Sequence, residues 1–373
     1  MATYNGAATL PRVLQAYCAL QPPADGWKLL IVDNGSSDDS RAVIGAFSAR
    51  LPLTYLHEGR RGKNAALNTA LAHALQDADA RLFIFSDDDA APEPDWLLRL
   101  AGCADAHPDY AVFGGTIVAH WAQTPPAWIS RLVPLGLTYA LTDPSLPDGP
   151  VFPGLVWGAN MALRREPFEA GYRFDESIGP NGGAYAMGSE TSMTRRLFNA
   201  GYRSWFCPAA RVNHFIRPQQ LHTGYILQRA HRFGRGKFRQ DIPGIFPTLF
   251  RVPRWMLRRF AIELTGALRA WLAGHKEQFF LRRWELAYLS GHFYEAWFGG
   301  AKPPPRVLIT SYSGQLGGME IRMGQEARVL AAAGYRAALA TRRFPGFDDW
   351  AGGLRGGRID VSVFEPPCFF EEW

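Results

Sequence analysis

The sequence lacks long hydrophobic runs, a visible leader and any close pair of cysteines. No stretch of 18 apolar residues occurs among its 373 residues, so we expect no transmembrane helix. No apolar leader is visible at the N-terminus, so we expect no secretory signal peptide there. The four cysteines lie far apart and have no metal-ligand spacing: Cys18, Cys103, Cys207 and Cys368. These absences predict a cytoplasmic protein whose cysteines are reduced and structural.

Positive charge is concentrated in one part of the chain. Residues 217–297 contain 14 Lys and Arg against 5 Asp and Glu, a local net charge of +9, whereas the whole chain carries +6. Trp and Phe residues are interleaved with these charges, which predicts peripheral contact with the anionic inner face of the cell membrane. The alternative is a soluble helical cap over an active site. Nucleic acid is not expected as a partner, because the acidic motifs described below leave no role for it.

Residues 1–115 alternate strand-like and helix-like segments. Short apolar runs that end in polar residues predict buried strands at "WKLLIVDN", "LFIFSDDD" and "YAVFGGTIVA". Apolar spacing and Ala/Leu content predict helices at "KNAALNTALAHALQDA" and "DWLLRLAGCADA". This order predicts an α/β fold with a mostly parallel central sheet. Ligands bind beyond the carboxyl ends of such strands, where both acidic clusters of this region lie.

Three aspartates, Asp87, Asp88 and Asp89, directly follow one of these strands. Two carboxylates at a strand end can hold Mg²⁺ or Mn²⁺, which prefer oxygen ligands. Such a cation commonly neutralises the negative charge that builds up on a diphosphate leaving group. A helix N-cap is the alternative, but one Asp would be enough for a cap. Taken alone, the cluster also fits a phosphatase or a nucleotidyltransferase.

Two polar stretches indicate nucleotide binding. Thr3, Tyr4 and Asp33 have side chains that can stack on or hydrogen-bond a nucleobase, although the Asn-Gly after Asp33 is also an ordinary turn. The stretch "GRRGKN" places basic residues, the last of them Lys63, just before a helix, where phosphate binding is easy. A solvated basic turn is the alternative for that stretch.

Two further side chains stand out near the end of this region. Glu190 opens the helical segment "SETSMTRRLFNAGYR", which Gly201 is expected to close. His214 ends the strand-like "RVNH". Taken separately, the glutamate is explained by compensation of the helix dipole and the histidine by a structural role. Together with the upstream clusters, both become candidates for chemistry.

The ordered set of motifs resembles glycosyltransferase family 2. Over about residues 1–240 the motifs are, in chain order, "ATYN", "VDNGSSD", "GKNAALN", "SDDD", "WGANMALRR", "FDESIG", "GSETSMTRRL", "NAGYR" and "PAARVNH". The resemblance implies a GT-A fold, a nucleotide-diphospho-sugar donor, Mg²⁺ or Mn²⁺, and inversion at the anomeric carbon. It also implies a saccharide or lipid-linked acceptor, in polysaccharide, glycolipid or other glycoconjugate synthesis.

The resemblance assigns roles to individual residues. The catalytic base is Glu190, where the family usually has an aspartate, and the metal ligands are Asp89 and His214. The nucleotide- and donor-binding residues are Thr3, Tyr4, Asp33, Lys63, Asp87 and Asp88. The residues implied for the donor-sugar or acceptor pocket are Trp157, Gly158 and Asn160.

The two ends of the chain depart from the family pattern. The family usually has a hydrophobic strand before "ATYN", so most of the first strand is expected to be missing by truncation. Residues "RVLITSYSGQLGGMEIRMGQEARVLAAAGYRAALAT" resemble the opening of glycosyltransferase family 4, which has the two-lobed GT-B fold. The predicted division is a GT-A domain at 1–216, a basic aromatic helical region at 217–297, a linker at 298–306 and a partial, Rossmann-like family 4 lobe at 307–373.

Two other functions compete with a glycosyltransferase. A sugar nucleotidyltransferase shares the nucleotide fold and the acidic site, but it requires a glycine-rich N-terminal loop with a basic signature, which is absent here. A catalytically impaired scaffold on the membrane surface is the second alternative, because of the missing strand and the altered "GSET".

Overall fold

The computed structural model describes residues 1–181, 183, 185–241, 248–299, 306–311, 315–332, 335–354 and 359–363. Most of the predicted linker at 298–306 lies outside these residues, as does Cys368. The strands are β1 (Ala2–Thr3), β2 (Leu29–Asp33), β3 (Leu53–His57), β4 (Leu82–Phe85), β5 (Ala90–Pro92), β6 (Val112–Trp121), β7 (Gly149–Pro150), β8 (Met161–Arg164), β9 (Ser204–Ile216), β10 (Thr248–Leu249), β11 (Val252–Pro253), β12 (Arg306–Ser311), β13 (Arg336–Thr341) and β14 (Ile359–Val363). The helices are α1 (Leu10–Tyr17), α2 (Ser40–Ala46), α3 (Lys63–Ala74), α4 (Trp96–Ala106), α5 (Ala127–Leu132), α6 (Leu135–Tyr139), α7 (Glu166–Glu169), α8 (Ser189–Asn199), α9 (Thr223–Asp241), α10 (Arg254–Leu272), α11 (Lys276–Phe298), α12 (Gly318–Ala332) and α13 (Phe347–Gly352).

Two sheets meet side by side in the N-terminal part of the chain. The first has the order β1-β2-β3, and all its strands are parallel. The second has the order β4-β8-β6-β9-β5, with β7 beside β9. In this second sheet β6 and β9 run parallel, and the other described pairs are antiparallel. The α/β fold is therefore confirmed, and of these two sheets only the first is fully parallel.

Helices cover the sheets through apolar faces. Leu14 of α1 and Trp96 of α4 are buried in one core cluster, which also contains Ile31 of β2. Leu67 of α3 is buried in another cluster together with Phe85 of β4. The buried residues of α3 include Leu67, Ala70 and Leu71, which are three and four positions apart. Because both faces are covered, the ends of the strands are the open edge at which a site can form.

A short bridge between the two sheets lies next to the acidic cluster. β1 contains two residues, which pair with β2, and Ala2 makes a parallel bridge to Asp87. Residues of β2 and β4 line a second cavity, of about 900 Å³, together with apolar side chains such as Leu67 and charged side chains such as Lys28. Although β1 has only two residues, its pairing places Thr3 beside the aspartates.

Cys103 and Cys207 form a disulfide bond, so the prediction of four reduced cysteines is wrong. The bond joins α4 to β9 across 104 residues of sequence. Cysteines so far apart in sequence leave no local pattern that predicts their pairing, because they meet only when α4 packs on the sheet. Disulfides are typical of oxidising compartments, so the cytoplasmic location stays a prediction. Cys18 is a free cysteine.

Three helices, α9, α10 and α11, account for most of the basic region at 217–297. α9 and α11 approach closely because neither Gly234 nor Gly291 has a side chain: a Cβ at either position would lie 2.0 Å from a carbonyl oxygen of the other helix. Arg235 of α9 also donates to the buried Glu295 carboxylate of α11, at 2.8 Å. Among the described helices, none combines the length and apolar character needed to cross a bilayer.

The C-terminal segment forms a small unit of its own. β12, β13 and β14 make a parallel sheet in that order, and α12 lies between β12 and β13 in sequence. The predicted order of strand, helix and strand is therefore present. The resemblance of residues 307–373 to a family 4 lobe stays a prediction.

Candidate functional site

A cavity of about 550 Å³ opens at the carboxyl ends of β1 and β4. Segments that are far apart in sequence line it, including the start of α3, the turn after β4, the start of α8 and one face of α9. The sequence-predicted residues that line it are Thr3, Tyr4, Lys63, Asp87, Asp88, Asp89, Trp157, Gly158, Glu190 and His214. The fold therefore brings most of the candidate residues to one place.

Each of the three aspartates has a different partner. Asp87 Oδ1 lies 2.6 Å from Lys63 Nζ. Asp88 Oδ2 accepts a hydrogen bond from Thr3 Oγ1 at 2.5 Å. Burial raises the pKa of Asp88 to about 7, and the neighbouring Asp89 carboxylate adds to the rise. Asp88 is thus the carboxyl group of the cluster that most easily becomes neutral.

Lys63 supplies the positive charge among these carboxylates. Its ammonium group contacts Asp87 and also lies 3.4 Å from Glu190 Oε1. Burial lowers the pKa of Lys63, but the two carboxylates outweigh burial and hold the pKa above its usual value. Lys63 is therefore charged, and it joins the aspartate cluster to the start of α8.

Two buried asparagines position Lys63 and α8. Asn34 donates to the carbonyl oxygens of Glu58 and Arg60 and accepts from the Gly62 amide at 2.7 Å, so it fixes the turn that leads into α3. Asn64 accepts a hydrogen bond at 2.6 Å from the hydroxyl of Ser189, the first residue of α8. No local pattern in the sequence indicates these roles, because the partners are distant in the chain.

Glu190 lies in the first turn of α8, against a position without a side chain. Gly188 precedes the helix with φ +102°, a conformation that glycine adopts without strain. The Glu190 carboxylate packs on Gly158, where a Cβ would lie only 2.4 Å from Oε1. The glycine at position 158 thus creates the space that Glu190 occupies at the cavity wall.

His214 and Asp89 form the second charged pair of the cavity. His214 Nδ1 lies 2.7 Å from the Tyr139 carbonyl oxygen, and Nε2 lies 3.3 Å from Asp89 Oδ1. A carbonyl requires Nδ1 to carry the proton, so the lone pair of the neutral ring is on Nε2, on the side of Asp89. Burial lowers the pKa of His214, but Asp89 outweighs burial and raises it.

Asp89 and His214 provide an oxygen and a nitrogen donor for a divalent cation. In the described part of the chain, no group of three or more His, Cys, Asp or Glu residues is arranged to hold a metal. Mg²⁺ commonly binds one or two carboxylates and takes its other ligands from substrate phosphates and water. The pair therefore fits a cation that is shared with a phosphate-bearing substrate, rather than one enclosed by protein.

Two predicted residues lie outside the cavity lining. Asp33 is buried and accepts hydrogen bonds from the Tyr55 hydroxyl, at 3.0 Å, and from the Ser36 amide, at 2.8 Å. Asn160 is fully buried and does not line the cavity, which corrects its assignment to the donor-sugar or acceptor pocket. Its turn places Trp157 and Gly158 at the cavity wall but directs Asn160 into the core.

Asn160 holds together three elements of the core. Its amide nitrogen donates to the carbonyl oxygens of Thr116 and Ala210, both at 2.9 Å. Its amide oxygen accepts from Trp96 Nε1, also at 2.9 Å. Asn160 therefore connects α4, β6 and β9 instead of contacting a ligand.

Comparison with known proteins identifies the N-terminal domain. Residues 1–171 match the family model described as Glycosyl transferase family 2. The chain is 22% identical to glycosyltransferase AglE of Haloferax volcanii over 276 residues, 72% of this chain and 77% of that protein. It is 25% identical to the succinoglycan biosynthesis protein ExoM of Rhizobium meliloti over 230 residues, 61% of this chain and 69% of that protein.

The chain is also similar to solved structures. The mannosyltransferase PcManGT from Pyrobaculum calidifontis, in complex with GDP-Man and Mn²⁺, is 19% identical with a TM-score of 0.49. That match covers 79% of this chain and 86% of PcManGT. With the family domain and the relatives, the expectation that this chain is a glycosyltransferase is confirmed.

We predict that Asn160→Ala destabilises the fold. The change leaves the Trp96 indole and two buried carbonyl groups without their partner, which costs about 2–4 kcal/mol of unfolding free energy. Urea denaturation measures the loss. Asn181→Ala, at an exposed position of the cavity rim, is the control and leaves the unfolding free energy within about 0.5 kcal/mol of wild type. Equal stability of Asn160→Ala and wild type would contradict a core role.

Proposed function

We propose that this chain transfers a sugar, with inversion, from a nucleotide-diphospho-sugar to a hydroxyl of a saccharide or lipid-linked acceptor. The observation that carries the proposal is the meeting of Glu190, Lys63 and the aspartate cluster in one cavity. Such a transfer requires a base, an acidic site at which the donor binds and a cationic side chain that can contact phosphate. Glu190, the aspartate cluster and Lys63 correspond to these three parts. The family 2 domain at residues 1–171 supports the same reaction.

Glu190 acts as the base in this proposal. Its carboxylate takes the proton of the acceptor hydroxyl while that oxygen attacks the anomeric carbon, and the nucleoside diphosphate leaves from the opposite face. A side chain placed to remove this proton increases the reaction rate by about 10²- to 10⁴-fold. The contact of Glu190 with Gly158 fixes the position of the carboxylate, whose Oε1 lies 3.4 Å from Lys63 Nζ.

Asp89 and His214 hold the diphosphate end of the donor. A divalent cation bound by these two residues would neutralise negative charge on the departing diphosphate. Arg217 is a further cation that lines this side of the cavity. Burial raises the pKa of Asp89, but the charges of His214 and, to a smaller extent, Arg217 outweigh burial and lower it. Thr3, Tyr4 and Asn34 line the neighbouring wall, which is where we place the nucleoside.

We predict that Glu190→Gln separates donor binding from transfer. The amide keeps the shape of the side chain and loses its basicity, so transfer falls by about 10²-fold or more while donor affinity stays within about threefold. The measurement screens UDP-, GDP- and dTDP-sugars with Mn²⁺ for transfer and for donor binding. Glu190→Asp is the matched control, because it keeps the carboxylate and restores the residue that the family usually has. Transfer at the wild-type rate by Glu190→Gln would assign the base to another residue.

We predict that Asp89→Asn abolishes metal-dependent donor binding. The amide lacks the negative charge that pairs with a cation, so Mn²⁺ no longer raises donor affinity. The matched control is Asp88→Asn, which imitates the neutral form that burial already favours at position 88. Isothermal titration of the nucleoside diphosphate with and without Mn²⁺ measures both variants. A Mn²⁺ response of Asp89→Asn equal to that of wild type would exclude Asp89 as a ligand.

The proposal includes attachment to an anionic membrane surface through α10. This helix packs on α11 along one side and exposes a run of large apolar residues four, three and one position apart: Leu264, Leu268, Trp271 and Leu272. Exposed arginines precede the run at positions 254 and 258, and a third lies within it at position 269. Exposed apolar groups beside cationic side chains are the composition of a helix that lies in the lipid interface, and the positive charge favours anionic lipids.

We predict that the chain co-sediments with phosphatidylglycerol vesicles but not with phosphatidylcholine vesicles. Leu268→Ser removes apolar contact area from α10, so it weakens the binding by about fivefold or more. Leu98→Ser, which removes an exposed leucine on α4, is the control and binds as wild type does. Binding that does not depend on the anionic lipid content would contradict the proposal and favour a helical cap.

A further inference from the structure

We propose that the acceptor is a lipid-linked saccharide, whose apolar part binds to an exposed shelf formed by Phe152, Leu155 and Phe198. The proposal rests on the proposed function and specifies the class of acceptor. The family 2 match does not assign this shelf, and Phe198 lies beyond the matched residues 1–171.

The shelf begins at the wall of the cavity. Phe152 lines the cavity, as do Gly158 and Glu190. A Cβ at Gly154 would lie 3.5 Å from the Phe152 ring and 3.9 Å from Thr191 Cγ2. The Phe152 ring is therefore close to Thr191, the residue that follows the proposed base.

α8 continues the shelf away from the base. Thr191 and Arg195 of α8 line the cavity, and Phe198 lies on the same face, because it follows them at helical spacing. The centroids of the Phe152 and Phe198 rings are 6.4 Å apart. Phe198 is eight residues after Glu190, about 12 Å along the helix axis. The shelf thus extends from the proposed base to the far end of α8, with room for a sugar ring between them.

The turn that follows Phe152 is held on α8. Residues Pro153–Leu155 form one turn of 3₁₀ helix. The buried hydroxyl of Thr194, a residue of α8, donates to the Pro153 carbonyl oxygen at 3.0 Å. This hydrogen bond fixes the turn against the helix, so the two phenyl rings of the shelf keep their relative position.

The shelf exposes hydrocarbon to solvent. Phe152 is 57% exposed, Leu155 43% and Phe198 50%. Single exposed apolar residues are ordinary on a protein surface, whereas neighbouring ones beside a cavity mark a surface that binds something. None of the three side chains has a hydrogen-bonding atom, so they cannot pair with the hydroxyl groups of a sugar. A hydrocarbon chain has no polar group to satisfy, and covering the shelf removes its apolar area from water.

The position of the shelf identifies its occupant. The nucleoside of the donor is placed at the wall formed by Thr3, Tyr4 and Asn34, which belong to other elements. The shelf instead adjoins Glu190, where the acceptor hydroxyl loses its proton in the proposed reaction. A molecule that presents a hydroxyl at Glu190 and covers the shelf with hydrocarbon is a saccharide linked to a lipid.

Binding of paired glycosides tests the proposal. The full chain is first saturated with Mn²⁺ and the nucleoside diphosphate that binds best, so that the donor site is occupied. Octyl β-glucoside, below its micelle concentration, is then compared with methyl β-glucoside, because the two differ only in the length of the alkyl chain. We expect the octyl compound to bind at least about tenfold more tightly. Methyl maltoside is the third probe, since it adds a sugar ring instead of hydrocarbon.

Substitution assigns the preference to the shelf. Phe198→Ser is expected to remove most of the preference for the octyl chain and to leave the affinity for the nucleoside diphosphate unchanged. Leu268→Ser, which removes an exposed leucine on α10, is the matched control and keeps the preference. If Phe198→Ser fails to fold, Phe152→Ser gives the same readout from a different segment of the chain.

Three results would overturn the proposal. Equal affinity for the octyl and methyl glucosides would show that no apolar part of the acceptor is bound. A preference that persists in Phe198→Ser and is lost in Leu268→Ser would place the alkyl chain on α10. Tighter binding of methyl maltoside than of octyl glucoside would make the shelf a platform for a second sugar ring.

Failure of the proposed function gives a different result. Absence of any Mn²⁺-dependent nucleotide binding by the wild type would count against the proposed function itself. Nucleotide binding that is intact, without a preference between the two glucosides, would count only against the shelf.

Discussion

The contact of the Lys63 ammonium group with Asp87 and Glu190 is the interaction on which the arrangement of the cavity depends. A buried charge is costly unless it is paired and hydrogen-bonded. The two carboxylates come from the end of β4 and the start of α8, so satisfying one lysine fixes the distance between those elements. Asn34 and Asn64 orient the start of α3 on either side of Lys63, and their partners are mainly backbone groups. The charged side chains of the proposed site are thus held in position by hydrogen bonds between neutral groups.

Local patterns predicted the parts of the fold that depend on local physics. The apolar runs before Asp33 and Asp87 form β2 and β4, and the Ala/Leu-rich segment after Lys63 forms α3. A buried strand needs consecutive apolar residues and a helix needs an apolar face, so both leave a readable period in the sequence. The placement of the acidic clusters at strand ends likewise followed from the geometry of α/β sheets.

Features that depend on distant pairing were not predicted. The direction of β8 and β9 relative to their neighbours is set by long connections, so the antiparallel half of the second sheet left no local signal. The Cys103 to Cys207 bond exists because α4 packs on β9. Asn160 follows Trp157 and Gly158, which reach the cavity, and only the turn geometry shows that Asn160 faces the core. The face of α9 that lines the cavity does have a period in the sequence, with Arg229, Phe233 and Lys237 four residues apart, but only the structure shows which way that face points.

The close approach of α9 and α11 also determines how the width of the cavity can change over evolution. Gly234 and Gly291 leave no free space between the two helices. Any larger residue at either position must push α9 away from α11, and the side of α9 opposite that contact is the cavity wall. A single substitution at position 291, which does not touch the cavity, would therefore narrow the space for substrate. Substrate range in this chain is in part a property of helix spacing, and positions outside the binding surface can change it.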